Sequence, residues 1–241
     1  MIELKNVSFS YPAVQVFRDF DIVFEENTVN CVLGPSGCGK STLLNLLSGD
    51  IEPQGGTVEN AGKKISYVFQ SPRLIPQITV FKNLELVLKS VVPNKEERRK
   101  IVADTLALLG LDGTLEMYPA QLSGGMAQRV ALARAFVFPS KLLLMDEPFK
   151  GLDPALKTSV MKAFLALFER EKRTVVFVTH DIDEAVLLGD KIFMLSDKPA
   201  KVIKELQIAA PQSDRKVYDR ELGEIKNEIY KVSEGEALEK A

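Results

Sequence analysis

Gly34-Pro35-Ser36-Gly37-Cys38-Gly39-Lys40-Ser41-Thr42 decides how this 241-residue chain is read. The stretch meets every defined position of the pattern G-x-x-x-x-G-K-[ST]. Before it runs Val29-Asn30-Cys31-Val32-Leu33, a segment with the texture of a buried strand. After it comes Leu43-Leu44-Asn45-Leu46-Leu47, a helix-forming run that stops near Gly49. Strand, loop and helix in that order are the context a phosphate-binding loop requires. Glycines let backbone N–H groups point inward around a phosphate, and the following helix adds the partial positive charge of its N-terminus. In that geometry Lys40 reaches the β- and γ-phosphates of a nucleoside triphosphate, and the Ser41 hydroxyl ligates Mg²⁺.

Composition sets the frame around the loop. Apolar residues at 46% and charged residues at 27% are ordinary for a globular protein, and the length suits one large domain or a core with an inserted subdomain. Asn, Asp or Gly interrupts the apolar runs well short of a bilayer span. The opening Met1-Ile2-Glu3-Leu4-Lys5 lacks the charged-then-apolar layout of a secretion signal. Cys31 on the strand and Cys38 in the loop do not suggest a disulfide, which points to a reducing cytoplasm. A net charge of −2 gives no general electrostatic reason to bind nucleic acid.

Along the chain, Ile2, Leu4, Val7 and Phe9, then Asp21–Phe24, predict a β-rich beginning. Lys64–Phe69 reads as a further strand that ends at Gln70. Asn94 then caps a helix with Glu97 in the capping-box position, and Ile101, Val102, Thr105, Leu106 and Leu109 carry it to Gly110. The charges from Lys95 to Lys100 are expected on its solvated face. Strand texture returns at Lys141–Asp146 and Thr174–Thr179, with a helix bearing Leu156, Val160, Phe164 and Leu167 between them. Apolar strands alternating with helices predict a mostly parallel sheet covered on both faces. Residues 71–138 are expected to form a helical insertion into that α/β core, and an amphipathic helix is expected around Tyr218–Tyr230 in a charged tail.

Three further groups carry chemistry. Asp146 and Glu147 close an apolar strand, so Asp146 can hold Mg²⁺ while Glu147 polarises the attacking water. Neighbouring side chains on a strand face opposite ways, so the two acids take separate duties only if the chain leaves the strand there, as Pro148 favours. His180, the only histidine, follows the strand Thr174–Thr179 at the end where parallel sheets present ligand contacts, and is expected on the γ-phosphate. In Leu122-Ser123-Gly124-Gly125-Met126-Ala127-Gln128-Arg129, Ser123 can cap a helix that starts at the glycines. That makes a second anion-receptive helix end. Two such ends around one nucleotide point to a head-to-tail dimer, in which each loop faces the Ser-Gly-Gly of the other copy.

With these motifs in this order, nearly all of residues 1–205 resembles the nucleotide-binding subunit of ABC transporters. The resemblance implies a P-loop NTPase core of RecA type, with an N-terminal antiparallel β subdomain and the inserted α-helical subdomain; residues 206–241 form a short extension. It implies that Tyr11 stacks on adenine and that residues 34–42 hold the phosphates. Gln70 then senses Mg²⁺ and meets the membrane partner, and Ser123, Gly124 and Gly125 form the signature that binds ATP in trans. Asp146 and Glu147 are the metal-binding and catalytic acids, Asp153 is the D-loop aspartate and His180 the switch histidine.

Within the family, residues 70–76, 118–126 and 179–185 are similar to bacterial importers of the nitrate, sulfonate, taurine or thiamine-precursor type. Met126 departs from the usual signature Gln, and Lys150 stands where a small residue is expected before the D-loop. The resemblance implies an ATPase working with a second, identical copy, a transmembrane permease and, indirectly, an extracytoplasmic solute-binding protein. Its expected place is peripheral, on the cytoplasmic face of the inner membrane. An exporter subunit and a soluble assembly-scaffold ATPase remain as alternatives.

Overall fold

The computed structural model describes residues 2–60 and 64–238. In chain order the strands are β1 (Ile2–Tyr11), β2 (Val14–Phe24), β3 (Val29–Leu33), β4 (Gly55–Glu59), β5 (Ile65–Val68), β6 (Leu142–Asp146), β7 (Thr174–Thr179), β8 (Lys191–Leu195) and β9 (Val202–Gln207). The helices are α1 (Lys40–Ser48), α2 (Val80–Leu88), α3 (Lys95–Leu108), α4 (Gly124–Val137), α5 (Pro154–Arg170), α6 (Ile182–Leu188) and α7 (Arg220–Leu238). The residues group into two units, one made from the chain ends up to Ile65 and from Arg173 onward, the other from Ser66–Lys172.

In the unit of the chain ends, β1 lies between β2 and β4 in an antiparallel sheet. A second layer has β3 between β7 and β8, all parallel, with β9 antiparallel on β8. Every residue of β3 and β7 is buried, as the largely apolar texture of both segments requires. Asn30 is the polar exception in the middle of β3. Its amide is fully satisfied: Oδ1 accepts from Glu25 N at 2.9 Å, and Nδ2 donates to Glu25 O at 2.8 Å and Val175 O at 3.3 Å. Helices α1 and α6 pack against β7 and β3. The tail belongs to the same unit: Leu222 and Ile229 of α7 are buried, and Lys226 Nζ meets Asp183 Oδ1 of α6 at 2.6 Å. Arg215 drives its guanidinium under α6, donating to the carbonyls of Gly189 at 2.6 Å, Ala210 at 2.8 Å and Val186 at 3.2 Å.

In the other unit, α2, α3 and α4 pack on one another and α4 packs on α5. Val80, Leu84 and Leu88 of α2, Val102 and Leu106 of α3, and Val130 and Leu132 of α4 are buried in the core. Asn94 caps α3 through Glu97 N at 3.1 Å. The charge run behind that cap is not all solvated, however. Arg98 is buried, with Nε and Nη2 on Glu85 Oε1 at 3.0 and 2.9 Å and Nη1 on the carbonyls of Val92 and Pro93. The partner acid sits on another helix, 13 residues away, outside the i,i+4 window that reads a run as surface. The tail helix is also longer than its pattern predicts, running to Leu238.

Candidate active site

Each unit carries part of the constellation. The phosphate loop, Tyr11 and His180 fall in the unit of the chain ends; Gln70, Ser123, Gly124, Gly125, Asp146, Glu147 and Asp153 fall in the other.

The loop leaves β3 at its carboxyl end and turns into α1 at Gly39, whose φ is 122°. No side chain fits there. A Cβ on Gly39 would sit 2.5 Å from Val16 Cγ1 and 3.2 Å from the Phe17 ring, so β2 seals the underside of the loop. Lys40 is buried, and its ammonium donates to the carbonyls of Gly34 at 2.7 Å and Pro35 at 2.8 Å. The cation is thereby fixed across the mouth of the loop by two of its three N–H bonds. Helix α1 has no side-chain cap and no acid in its first turn, so nothing from its own side chains neutralises the positive end. Ser41 and Thr42 occupy that first turn. Cys38 is fully buried, and burial pushes its thiol above the ordinary range.

His180 is exposed at the end of β7, and a cavity of about 400 Å³ is lined by His180, Gly34, Pro35, Ile182, Asp197 and Ser233. The structure thus brings the histidine and the start of the phosphate loop to one opening. Asp181 caps α6 through the amides of Asp183 at 2.9 Å and Glu184 at 3.2 Å, which fixes the backbone that carries His180. Tyr11 ends β1, 44% exposed, with its ring edge-on to Phe9 at 5.1 Å. An exposed, braced ring is what base stacking requires.

In the second unit β6 ends at Asp146, and Glu147 takes φ 42°. A left-handed non-glycine residue costs about 1–3 kcal/mol, and here it takes the chain out of the strand at Glu147. The turn is closed by Lys150 N donating to Glu147 O at 3.1 Å, and by an ion pair between Lys150 Nζ and Glu147 Oε2 at 2.6 Å. Asp153 then caps α5, accepting from Leu156 N at 3.0 Å. Ser123 caps α4 through Met126 N at 3.3 Å. The Met126 departure leaves that cap untouched, because Ser123 binds the backbone amide. Gly125 admits Leu156: a Cβ there would lie 2.0 Å from Leu156 Cδ1, so the starts of α4 and α5 are in direct contact.

Gln70 is exposed just beyond β5. The segment after it is pinned at both ends. Arg134 donates to the carbonyls of Pro72 and Arg73, and Asn83 accepts from Ile75 N at 2.8 Å. Sequence reading missed these braces, and it missed Gln128, whose buried Nε2 donates to Pro148 O at 2.6 Å and ties α4 to the acidic turn. The Glu147–Lys150 pair had a visible signal, opposite charges three residues apart across a turn.

Residues 17–150 match the ABC transporter family. The chain belongs to that family. This ABC ATPase is 37% identical over 218 residues to the bicarbonate transport ATP-binding protein CmpD of Synechocystis, covering 85% of this chain and 77% of that protein. It is 39% identical over 210 residues to the formylaminopyrimidine import ATP-binding protein ThiZ of Halalkalibacterium halodurans, covering 86% and 84%. The dimeric structure of MJ0796, a bacterial ABC transporter cassette, superposes with a TM-score of 0.76 at 32% identity, covering 88% of this chain and all of that one. The fold is therefore that of a P-loop ABC cassette, and ATP is the nucleotide the family binds and hydrolyses. No helix among the described residues is long and apolar enough to cross a membrane.

Proposed function

We propose that this ABC ATPase is the engine of a bacterial importer for small anionic or nitrogen- or sulfur-containing solutes, attached to the cytoplasmic face of the inner membrane. The observation that carries the proposal is the pair of differently built helix starts, α1 behind the phosphate loop and α4 behind Ser123. Two copies arranged head to tail give each ATP one start of each kind. The naming of CmpD and ThiZ as transport and import subunits favours import over the exporter and scaffold alternatives.

In this reading Tyr11 stacks on adenine, and the amides of residues 34–42 with Lys40 hold the triphosphate. Glu147 takes the proton of the attacking water, and His180 donates to a γ-phosphate oxygen. Ser123, Gly124, Gly125 and Asp153 of the second copy close over the nucleotide. The Ser41 hydroxyl, the Asp146 carboxylate and the Gln70 amide oxygen are all hard oxygen donors, and few in number, which fits Mg²⁺ shared with phosphates and water. When bound, Mg²⁺ neutralises charge developing on the phosphate oxygens. Closure on ATP and reopening after hydrolysis would drive a transmembrane permease through the braced segment after Gln70, with an extracytoplasmic solute-binding protein supplying the solute.

Purification from native membranes in mild detergent tests the assembly. The expected companions are a multi-span permease and a solute-binding protein; soluble partners alone would overturn the transport reading. Glu147→Gln should keep ATP binding and lose turnover by about 10²- to 10⁴-fold. Wild-type turnover in that variant would remove Glu147 as the base.

A further inference from the structure

Lys150 is the residue of the acidic turn that departs from the family pattern, and it lies against the candidate base. Its Nζ is 2.6 Å from Glu147 Oε2, within a turn that the Lys150 N to Glu147 O bond closes at 3.1 Å. The two partners are unequally placed: the Glu147 side chain is 15% exposed, the Lys150 side chain 45%. The acid is therefore held in the protein and the ammonium sits at its edge. Gly151 follows at φ 78°, and then Asp153 starts α5.

We propose that Lys150 is a positioning residue that restrains hydrolysis. Its ammonium fixes one carboxylate oxygen of Glu147, and turnover proceeds from the conformer in which that pair has opened. The restraint rests on Glu147 being the water-activating acid proposed above. A carboxylate oxygen paired by charge with an ammonium at 2.6 Å must move away from that charge before it can be aimed at a water. Opening is inexpensive, because a half-exposed ammonium regains water as it leaves the acid. The latch adjoins the Gly151–Asp153 segment, which in the proposed dimer meets the second copy. Docking of that copy is thus placed to pull Lys150 from Glu147 and couple release of the acid to closure.

The test compares steady-state ATPase rates of the wild type, Lys150→Ala, Lys150→Met and Lys150→Arg, with urea unfolding of the nucleotide-free proteins as a second readout. Removing the cation should raise kcat about 1.5- to 5-fold, the equivalent of an exposed ion pair of ~0.2–1 kcal/mol. KM for ATP should stay unchanged, and Lys150→Arg, which keeps the charge, should retain the wild-type rate. In unfolding, Lys150→Ala and Glu147→Gln should be non-additive, because each removes the same pair. An unchanged or lower kcat in both Lys150→Ala and Lys150→Met overturns the restraint, as does strict additivity. The two proposals fail differently. Inactive Glu147→Gln with slow Lys150→Ala sinks the restraint alone, whereas fully active Glu147→Gln sinks the base assignment and the restraint with it.

Discussion

Helix α1 begins behind Gly39 with no side-chain cap, whereas α4 begins behind Ser123, whose hydroxyl oxygen accepts from Met126 N. Both starts are glycine-rich, yet their glycines are built in differently. At Gly39 φ is 122° and Val16 closes the space a Cβ would need; in α4 the first glycine, Gly124, is open, with nothing within 4 Å of a Cβ, and only Gly125 is closed, by Leu156 of α5. A start without its own oxygen, sealed from below, is specialised to present amides to an outside anion. A start that caps itself is stable alone and still has a hydroxyl proton to donate. The first can hold a ligand within one copy, and the second can complete a site offered by another.

The sharpest break would come from Lys40→Ala. Loss of a charge-assisted contact of about 1.5–3 kcal/mol should weaken ATP binding roughly 10- to 100-fold in a fluorescent-nucleotide titration. Undiminished affinity would mean that the sealed start does not hold the triphosphate. In stability rather than binding, Gly39→Ala should cost about 2–4 kcal/mol in urea unfolding, from strain at positive φ and the clash with Val16. Gly124→Ala should stay within about 0.5 kcal/mol of wild type while slowing ATP hydrolysis by the dimer. Equal unfolding costs would erase the distinction between the two starts. Ser123→Ala should lose about 1 kcal/mol with its cap, leaving ATP affinity of a single copy intact but reducing ATP-dependent dimerisation by size-exclusion chromatography. The smallest effect concerns Cys38. Burial raises its thiol above the ordinary range, so thiolate is scarce at neutral pH, and iodoacetamide at pH 7 should leave turnover unchanged. Rapid inactivation would show the loop opening to solvent.

The features legible in the sequence are those made by neighbours along the chain. The phosphate loop, the Asn94 and Ser123 caps and the break after Asp146 each depend on a few consecutive residues, and each forms where its pattern predicts. Glu147 at φ 42° goes a step further: Pro148 indicates that the strand stops, but not that the acid itself turns left-handed. What stayed hidden joins residues far apart in sequence. Arg98 with Glu85, Gln128 with Pro148 and Val16 beneath Gly39 are set by packing between elements, and no local period encodes them.

Arg215 gives the final stretch of the chain a weight its composition conceals. By composition that stretch is only a short charged extension, yet the Arg215 side chain is 1% exposed, and burial lowers its proton affinity against the opposing pull of Asp190. Cutting the protein short at residue 205 would strip the carbonyls of Val186 and Gly189 of their donor and leave Asp190 without this cation. The injury would be felt in α6, the helix that starts beside His180. For anyone grafting tails between cassettes, the portable piece is therefore the tail together with α6, and a swap that respects only the sequence boundary would carry a keystone away from its arch.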